Sequence, residues 1–192
     1  MTLETRTLSQ RVEARATADG QLVGGVGIAY GETTDIGDSF REVFAPGAFR
    51  NALSADILAL FGHDRNRVLG RTTAGTLRLR EDQQGVHYEI DLPDTTDGRD
   101  LAVSVGRGDI TGTSFGFRAI KETWDDTVEP PLRTIHEALL REISPTADPA
   151  YGDTTIALRS LDAARKERRS SNFSHAARRL RMKISLDLKG RE

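Results

Sequence analysis

The amino-acid sequence predicts an α+β fold in which mainly antiparallel strands form a partly closed β-barrel with a few flanking helices. Apolar and polar residues alternate with period two in GTLRLRED and GVHYEIDL, and the turn-forming segment EDQQG between them predicts a hairpin. TTDGRDLAVSVGRG has apolar residues at helical spacing, Thr and Asp near its start and Gly at its end, so it predicts a helix. The absence of repeats and of a regular βαβ alternation disfavours a doubly wound sheet.

Shorter patterns predict the other elements. QLVGGVGIAY indicates a strand whose glycines suit a bulge or a close backbone approach. FREVFAPGAFRNAL predicts a short strand and then a helix, with Pro46 near its first turn and Leu53 at its end. DILALF and ITGTSFGFRAIKETW are typical of strands. TIHEALLREIS is ambiguous between helix and strand, and TTIALRS predicts a last strand.

Composition limits the classes of protein to consider. The chain has 192 residues, 37% hydrophobic and 29% charged, which suits one globular domain with a tail. No segment approaches the length of a membrane span, and the N-terminus has no apolar region typical of a secretory signal. The absence of cysteine excludes disulfides, thiol nucleophiles and cysteine-ligated zinc.

Charge divides the chain unevenly. Residues 162–192 hold ten Lys/Arg and four Asp/Glu, a net charge of +6. Because the net charge of the whole chain is −2, residues 1–161 carry a net charge of −8. We therefore predict a domain over residues 1–161 and a basic, flexible or partly helical tail over residues 162–192. An acidic body does not favour a nucleic-acid enzyme, whose positive charge should line its working face.

Ser114 stands in Gly112-Thr113-Ser114-Phe115-Gly116, which satisfies the G-x-S-x-G pattern of serine hydrolases. In an α/β-hydrolase this serine occupies a sharp turn between a strand and a helix. Here FGFRAIK follows, which continues a strand, so we exclude that arrangement. The two glycines are expected either to let a substrate backbone come close or to mark a bulge.

A serine nucleophile needs a base, and the chain has four histidines. We interpret His87 as a residue at the surface or rim of a strand, and His175 lies in the basic tail. His136 adjoins Glu137 in the ambiguous segment. His63 follows DILALF directly, at a strand end where its side chain can face a cleft. The residues alone leave the choice of base open.

The ordered segments VFAPGAF, ALFGHDRNRVLGRTTAGTLRLREDQQGVHYEIDLPDTTDGRDL, GDITGTSFGF and LREISPTADPAYGDTTIALRS together resemble the prohead (capsid maturation) protease family of tailed bacteriophages. The resemblance covers about residues 10–160. It implies a fold like that of the herpesvirus assembly proteases, and a serine endopeptidase as the activity.

The resemblance also implies site residues. The histidine of GHD is His63 and the serine of TGTSFGF is Ser114. The acidic residue of the E-[IV]-S motif is Glu142, which would orient the imidazole. His136 and Glu137 remain alternatives for this third position.

The resemblance further implies where the protein acts and on what. The substrate would be the phage major capsid protein or its scaffold segment, cleaved inside the immature capsid in the host bacterial cytoplasm, during an assembly that includes the portal. Self-cleavage is also implied. Relatives of this fold can dimerise, so a homodimer is an alternative to a monomer. No membrane or specific nucleic-acid partner is expected.

We expect neither a metal nor an organic cofactor. The acidic segment DLPDTTDGRD lacks the spacing of a calcium-binding EF-hand loop, and helix capping explains it better. Two other functions compete with proteolysis: a catalytically inactive capsid assembly or scaffold protein of the same fold, and a serine hydrolase for small esters.

Overall fold

The described residues fold mainly into β-strands with two α-helices and one 3-10 helix (Thr72–Ala74), which confirms the predicted α+β class. The computed structural model describes residues 3–8, 12–17, 20–147 and 161–167. The strands within these ranges are β1 (Glu4–Leu8), β2 (Glu13–Thr17), β3 (Gly20–Ala29), β4 (Thr34–Ile36), β5 (Phe40–Phe44), β6 (Leu58–Phe61), β7 (Asp64–Arg71), β8 (Leu77–Glu81), β9 (Gly85–Asp91), β10 (Gly112–Asp125) and β11 (Leu132–Thr146). The helices are α1 (Thr96–Arg107) and α2 (residues 161–167).

The larger sheet is organised around β10 and β11, which pair antiparallel along their whole lengths. Its main path runs β1-β10-β11-β5-β4. The free side of β11 accepts two further strands in parallel, β5 along one part and β6 along another, and β6 continues into β7. The segment TIHEALLREIS, which is ambiguous in sequence, is therefore a strand with neighbours on both sides.

The smaller sheet has the order β2-β3-β9-β8 and packs on the larger one. The core includes Phe115 and Ile143 from the larger sheet and Ile28 and Tyr88 from the smaller. A Cβ atom at Gly24 would lie only 2.6 Å from the main-chain oxygen of Tyr88, so the backbones of β3 and β9 approach closely there. One at Gly27 would lie 3.3 Å from Cδ1 of Ile143. A register shift also falls here, between Val26 and Ile28. Both the close approach and the bulge predicted for the glycine-rich strand are confirmed.

Helix α1 begins and ends as its sequence predicts. The Thr95 hydroxyl accepts a hydrogen bond from the Gly98 N–H at 3.3 Å, and Gly108 ends the helix with φ 82°. The helix buries Leu101, Ala102 and Val105. The Thr–Asp segment thus caps a helix, which confirms that interpretation of DLPDTTDGRD.

The helix predicted from Pro46 to Leu53 is wrong. This segment forms successive turns, in which the N–H groups of Ala48, Arg50 and Ala52 each bond to the carbonyl three residues earlier. Gly47 has φ +83°, which lies outside the helical region and interrupts any regular helix.

Barrel closure is also wrong for the described residues. The strands form two separate sheets, and no strand of one pairs with a strand of the other. The sheets instead stack and share a core, as in a sandwich. The strand predicted for TTIALRS lies outside the described residues.

The chain divides into two units, residues 1–154 and 155–192. In the second, the described residues 161–167 are helical. The predicted boundary at residue 161 stays a prediction, and most of the predicted tail lies outside the described residues. Within the described ranges, no helix has both the length and the apolar character that crossing a membrane requires.

Candidate active site

His63 lies at the tip of the hairpin formed by β6 and β7. Phe61 pairs with Asp64, so the loop contains only Gly62 and His63, with φ 58° and 68°. Two positive φ values at the centre of a two-residue hairpin are typical of a type I′ turn, which favours glycine or asparagine. His63 is the one non-glycine residue with positive φ among those described, and this conformation costs about 1–2 kcal/mol.

The hairpin tip is held against β11. Because β6 runs parallel to β11 and pairs with Glu142 and Ile143, the chain that leaves β6 arrives beside the next residues of β11. The Gly62 N–H bonds to the Pro145 carbonyl at 3.3 Å, and the His63 N–H bonds to Ser144 Oγ at 3.2 Å. The strained turn is therefore fixed by its backbone as well as by its side chain.

The imidazole of His63 contacts the carboxylate of Glu142. Nδ1 lies 2.7 Å from Oε1, across 79 residues of sequence. The glutamate side chain is 5% exposed and that of the histidine 34%. An ionised carboxylate only accepts hydrogen bonds, so Nδ1 carries the proton and Nε2 of a neutral imidazole is left as the acceptor.

Glu142 has a second hydrogen-bond partner, and the neighbouring strand leaves space for its side chain. Oε2 accepts a hydrogen bond from Ser144 Oγ at 2.5 Å. Gly116 pairs with Glu142 on the neighbouring strand, and a Cβ atom at position 116 would lie only 2.8 Å from Oε1. The glycine of the G-x-S-x-G segment thus makes room for the carboxylate, and the expected approach of a substrate backbone stays a prediction. A register shift between Gly116 and Phe117 confirms the alternative, a bulge.

The pKa of His63 is raised above its ordinary value of 6.5. The hydrogen bond that Nδ1 donates to Glu142 is the main cause, partial burial of the ring opposes it, and the negative charge of Glu142 adds to the increase. The carboxylate therefore stabilises the imidazolium, the form that a general base takes after it accepts a proton.

Ser114 lies on β10 directly opposite Ser144 of β11. Directly paired residues project from the same face of a sheet, so Ser114 shares a face with Ser144 and Glu142. The opposite face carries Phe115, which belongs to the core. Ser114 is 1% exposed, and its hydroxyl donates to the Arg6 carbonyl at 2.9 Å. In this structure the Ser114 hydroxyl thus donates to β1 and not to His63.

A buried ionic network fixes β1 beside Ser114. Arg6 Nε lies 2.7 Å from Glu42 Oε1, and Nη2 lies 3.0 Å from Glu4 Oε2. Arg133 Nη1 lies 2.6 Å from Glu4 and 2.8 Å from Glu42, and its guanidinium also pairs with Glu122. The side chains of Arg6, Glu4, Glu42 and Arg133 are at most 6% exposed. The strand that receives the Ser114 hydrogen bond is thus tied to β5, β10 and β11.

The alternative site residues have other partners. His136 Nε2 lies 2.8 Å from Thr123 Oγ1, and Glu137 accepts a hydrogen bond from Asn51 at 3.2 Å. His87 lies 2.8 Å from Asp82 on the smaller sheet, and His175 lies outside the described residues. The carboxylate in contact with His63 is that of Glu142.

Sequence analysis missed Ser144. This residue is fully buried and touches both His63 and Glu142. The signal was present, because residues two apart on a strand share a face and Ser144 follows Glu142 by two. The segment TIHEALLREIS, residues 134–144, was too ambiguous between helix and strand for this rule to be applied.

The part of the chain that the structure describes contains no candidate metal-binding site. No group of three or more His, Asp or Glu side chains converges there in a way that could hold a metal ion.

Comparisons with known proteins identify one family. The family described as Caudovirus prohead serine protease matches residues 8–167. The prohead protease of Enterobacteria phage HK97 is 30% identical over 176 residues, which cover 88% of this chain and 75% of that protein. The bacteriophage T4 capsid assembly protease, gp21, is similar in structure with a TM-score of 0.51, over 76% of this chain and 98% of that chain. Its sequence identity is 12%, so this likeness shows the fold alone.

The family match extends over most of the chain, and the HK97 protein is matched over three quarters of its length. This chain therefore belongs to the caudovirus prohead serine protease family and is a phage maturation protease.

Proposed function

We propose that the chain is a serine endopeptidase in which Ser114 is the nucleophile, His63 the general base and Glu142 the residue that orients His63. The observation that carries the proposal is the 2.7 Å contact between His63 Nδ1 and Glu142 Oε1. This pair lies one strand away from Ser114, on the same face of the sheet. A carboxylate bonded to Nδ1 presents Nε2 to a nucleophile and stabilises the imidazolium.

Ser114 must first turn away from β1. Its hydroxyl now donates to the Arg6 carbonyl, and rotation about the Cα–Cβ bond redirects it without movement of the backbone. His63 Nε2 then removes the hydroxyl proton as Oγ attacks the scissile carbonyl. The same nitrogen returns the proton to the leaving amine, and water releases the acyl group in a second, equivalent cycle.

The proposed substrate is a segment of the phage major capsid protein or of its scaffold, met inside the procapsid in the host bacterial cytoplasm. Family membership supports this, as do the names of the HK97 prohead protease and the T4 capsid assembly protease. We also propose that the protein takes part in an assembly that includes the portal, and that it forms a homodimer. Measurement of the molecular mass of the purified chain in solution tests the homodimer. Residues 162–192, with a net charge of +6, are proposed to dock on the assembly or to be removed by self-cleavage.

Co-expression with the neighbouring capsid gene product tests the proposal. We expect discrete cleavage products by intact-mass spectrometry with the wild-type chain and with Ser104→Ala, a control at a partly exposed serine of α1, a helix that carries none of the three proposed residues. We expect none with Ser114→Ala. The same spectra report whether the chain itself loses residues 162–192.

Three outcomes would contradict the proposal. Equal cleavage by wild type and Ser114→Ala would remove Ser114 as the nucleophile. Turnover of small esters without peptide cleavage would favour the ester hydrolase. Capsid assembly without cleavage by any variant would favour the inactive assembly protein.

A further inference from the structure

We propose that Ser144 is a positioning residue, whose hydroxyl holds both the backbone of His63 and the carboxylate of Glu142 in the arrangement that proteolysis needs. This inference rests on the proposed function, because it assigns Ser144 a role relative to His63 and Ser114. It adds a fourth side chain to the site.

One hydroxyl group makes both contacts. Ser144 Oγ accepts a hydrogen bond from the His63 N–H at 3.2 Å and donates one to Glu142 Oε2 at 2.5 Å. The other carboxylate oxygen, Oε1, is bonded to His63 Nδ1. The three residues therefore close a ring of hydrogen bonds, in which Ser144 connects the main chain of the histidine to the group that orients its side chain.

The backbone contact matters because His63 is in an unfavourable conformation. Its φ of 68° persists only where surrounding contacts determine it. Glu142 is hydrogen-bonded only to the imidazole ring of His63, whereas Ser144 is hydrogen-bonded to its peptide N–H. Without the hydroxyl, the turn loses a restraint and the ring can move relative to Ser114.

The carboxylate contact matters because Glu142 is buried. A buried carboxylate needs hydrogen-bond donors for both oxygens, and here Ser144 serves one and His63 the other. With Oε2 occupied, the carboxylate plane is fixed and Oε1 faces Nδ1. Removal of the Ser144 hydroxyl frees the carboxylate to rotate away from the imidazole.

Ser144 is poorly placed to be the nucleophile itself. Its proton is donated to Glu142, and one of its two lone pairs accepts from the His63 N–H. A nucleophile must instead give its proton to Nε2, on the side of the ring away from Glu142. Ser114, by contrast, donates to a single backbone carbonyl and can be redirected by one bond rotation.

The test compares Ser144→Ala with a matched control, Thr72→Val. The Thr72 hydroxyl also accepts from one N–H, that of Ile57 at 2.9 Å, and donates to a carbonyl, that of Ala55 at 2.8 Å. We expect Ser144→Ala to lower kcat for peptide cleavage about 10- to 100-fold, which corresponds to the loss of a hydrogen bond to a charged group, with KM little changed. Thr72→Val should retain the wild-type kcat.

Two further measurements distinguish a positioning role of Ser144 from a general effect on the stability of the protein and from a role as the nucleophile. Proton NMR should show a far-downfield Nδ1–H signal of His63 in wild type, in Ser114→Ala and in Ser144→Thr, which keeps the hydroxyl. The signal should be weakened or lost in Ser144→Ala. An alkyl fluorophosphonate should label Ser114 in the wild type, and label it more slowly in Ser144→Ala.

Each adverse outcome has a distinct meaning. Wild-type kcat and an unchanged imidazole signal in Ser144→Ala would overturn the positioning role, as would fluorophosphonate attached to Ser144. Full cleavage by Ser114→Ala would instead overturn the proposed function. The imidazole signal would still decide whether Ser144 holds His63 against Glu142.

Discussion

His63 occupies a turn position where a side chain is a disadvantage for folding. Its φ of 68° suits glycine, and the residue before it in the same two-residue loop is glycine. The chain keeps an imidazole there, where it meets Glu142. Strained residues of this kind are concentrated at functional sites because surrounding contacts, here with Ser144 and Glu142, maintain them.

The strain at position 63 can be measured by comparing His63→Gly with His63→Ala. Both variants lose the imidazole and should be inactive. Only alanine retains a Cβ atom in the left-handed conformation, so His63→Gly should be more stable by about 1 kcal/mol in the free energy of unfolding. Urea denaturation measures the difference. If His63→Ala is as stable as His63→Gly, the positive φ is not a strained feature of this turn.

The contact between Glu142 and His63 predicts a pH dependence. A general base must be neutral, so activity rises with pH through the pKa of His63, which Glu142 raises above 6.5. In Glu142→Gln the main cause of the increase is removed, so the acidic limb of the kcat/KM profile should move to lower pH while maximal activity falls. An unmoved acidic limb would show that another group controls it.

The same contact affects stability in the opposite pH direction. Because the pKa of His63 is raised in the folded state, its contribution to stability is fully present below the ordinary value of 6.5. That contribution disappears as pH rises through the folded-state pKa.

Gly116→Ala provides a second test of the pH dependence of activity, since its Cβ atom would displace the end of the Glu142 side chain. It should shift the acidic limb in the same direction as Glu142→Gln.

At the scale of elements, β1 illustrates how an alternating pattern can be hidden. Its residues Glu4 and Arg6 point inward and are buried, whereas Thr5 between them and Thr7 after them are partly exposed. The period of two is present, but it is carried by charged residues that pair with Glu42 and Arg133. The inward-facing residues of this strand are charged and not apolar, so its hydropathy pattern does not mark the buried face. For this reason the sequence did not predict the strand.

The ionic network predicts a large stability effect at Arg133. Its guanidinium is 2% exposed and contacts three carboxylates. Arg133→Met leaves the buried carboxylates of Glu4 and Glu42 without the partner that they share, which should lower the free energy of unfolding by about 3–5 kcal/mol. Denaturant unfolding measures the loss.

A surface arginine provides the comparison for Arg133. Arg78 also pairs with a carboxylate, that of Asp91, but both side chains are about half exposed. Arg78→Met should cost less than about 1 kcal/mol. Similar losses for the two variants would mean that burial does not determine the importance of the Arg133 network.

At the scale of the whole molecule, the site depends on β11. This strand carries Glu142 and Ser144, pairs with β10 next to Ser114, and receives β6, which leads to His63. Three segments distant in sequence therefore meet along one strand. The stacked sheets supply a common core beneath this meeting point, with Phe115 and Ile143 on the face opposite Ser114 and Glu142.

The sequence by itself determined the local features of this protein. Period-two alternation predicted β8, β9 and β10, and Thr95 with Gly108 marked the ends of α1, because these signals depend on residues within one element. The resemblance to the prohead proteases supplied the family, and it named His63, Ser114 and Glu142 as candidates, whose catalytic roles remain a proposal.

Only the tertiary structure decided what depends on distant pairing. The contact of His63 with Glu142, the bond from Ser114 to the Arg6 carbonyl and the ring through Ser144 each join residues of different strands, or a strand and a turn. Strand register sets these contacts, and register depends on the whole sheet, which a local pattern does not encode. For the same reason, the predicted barrel proved to be two stacked sheets.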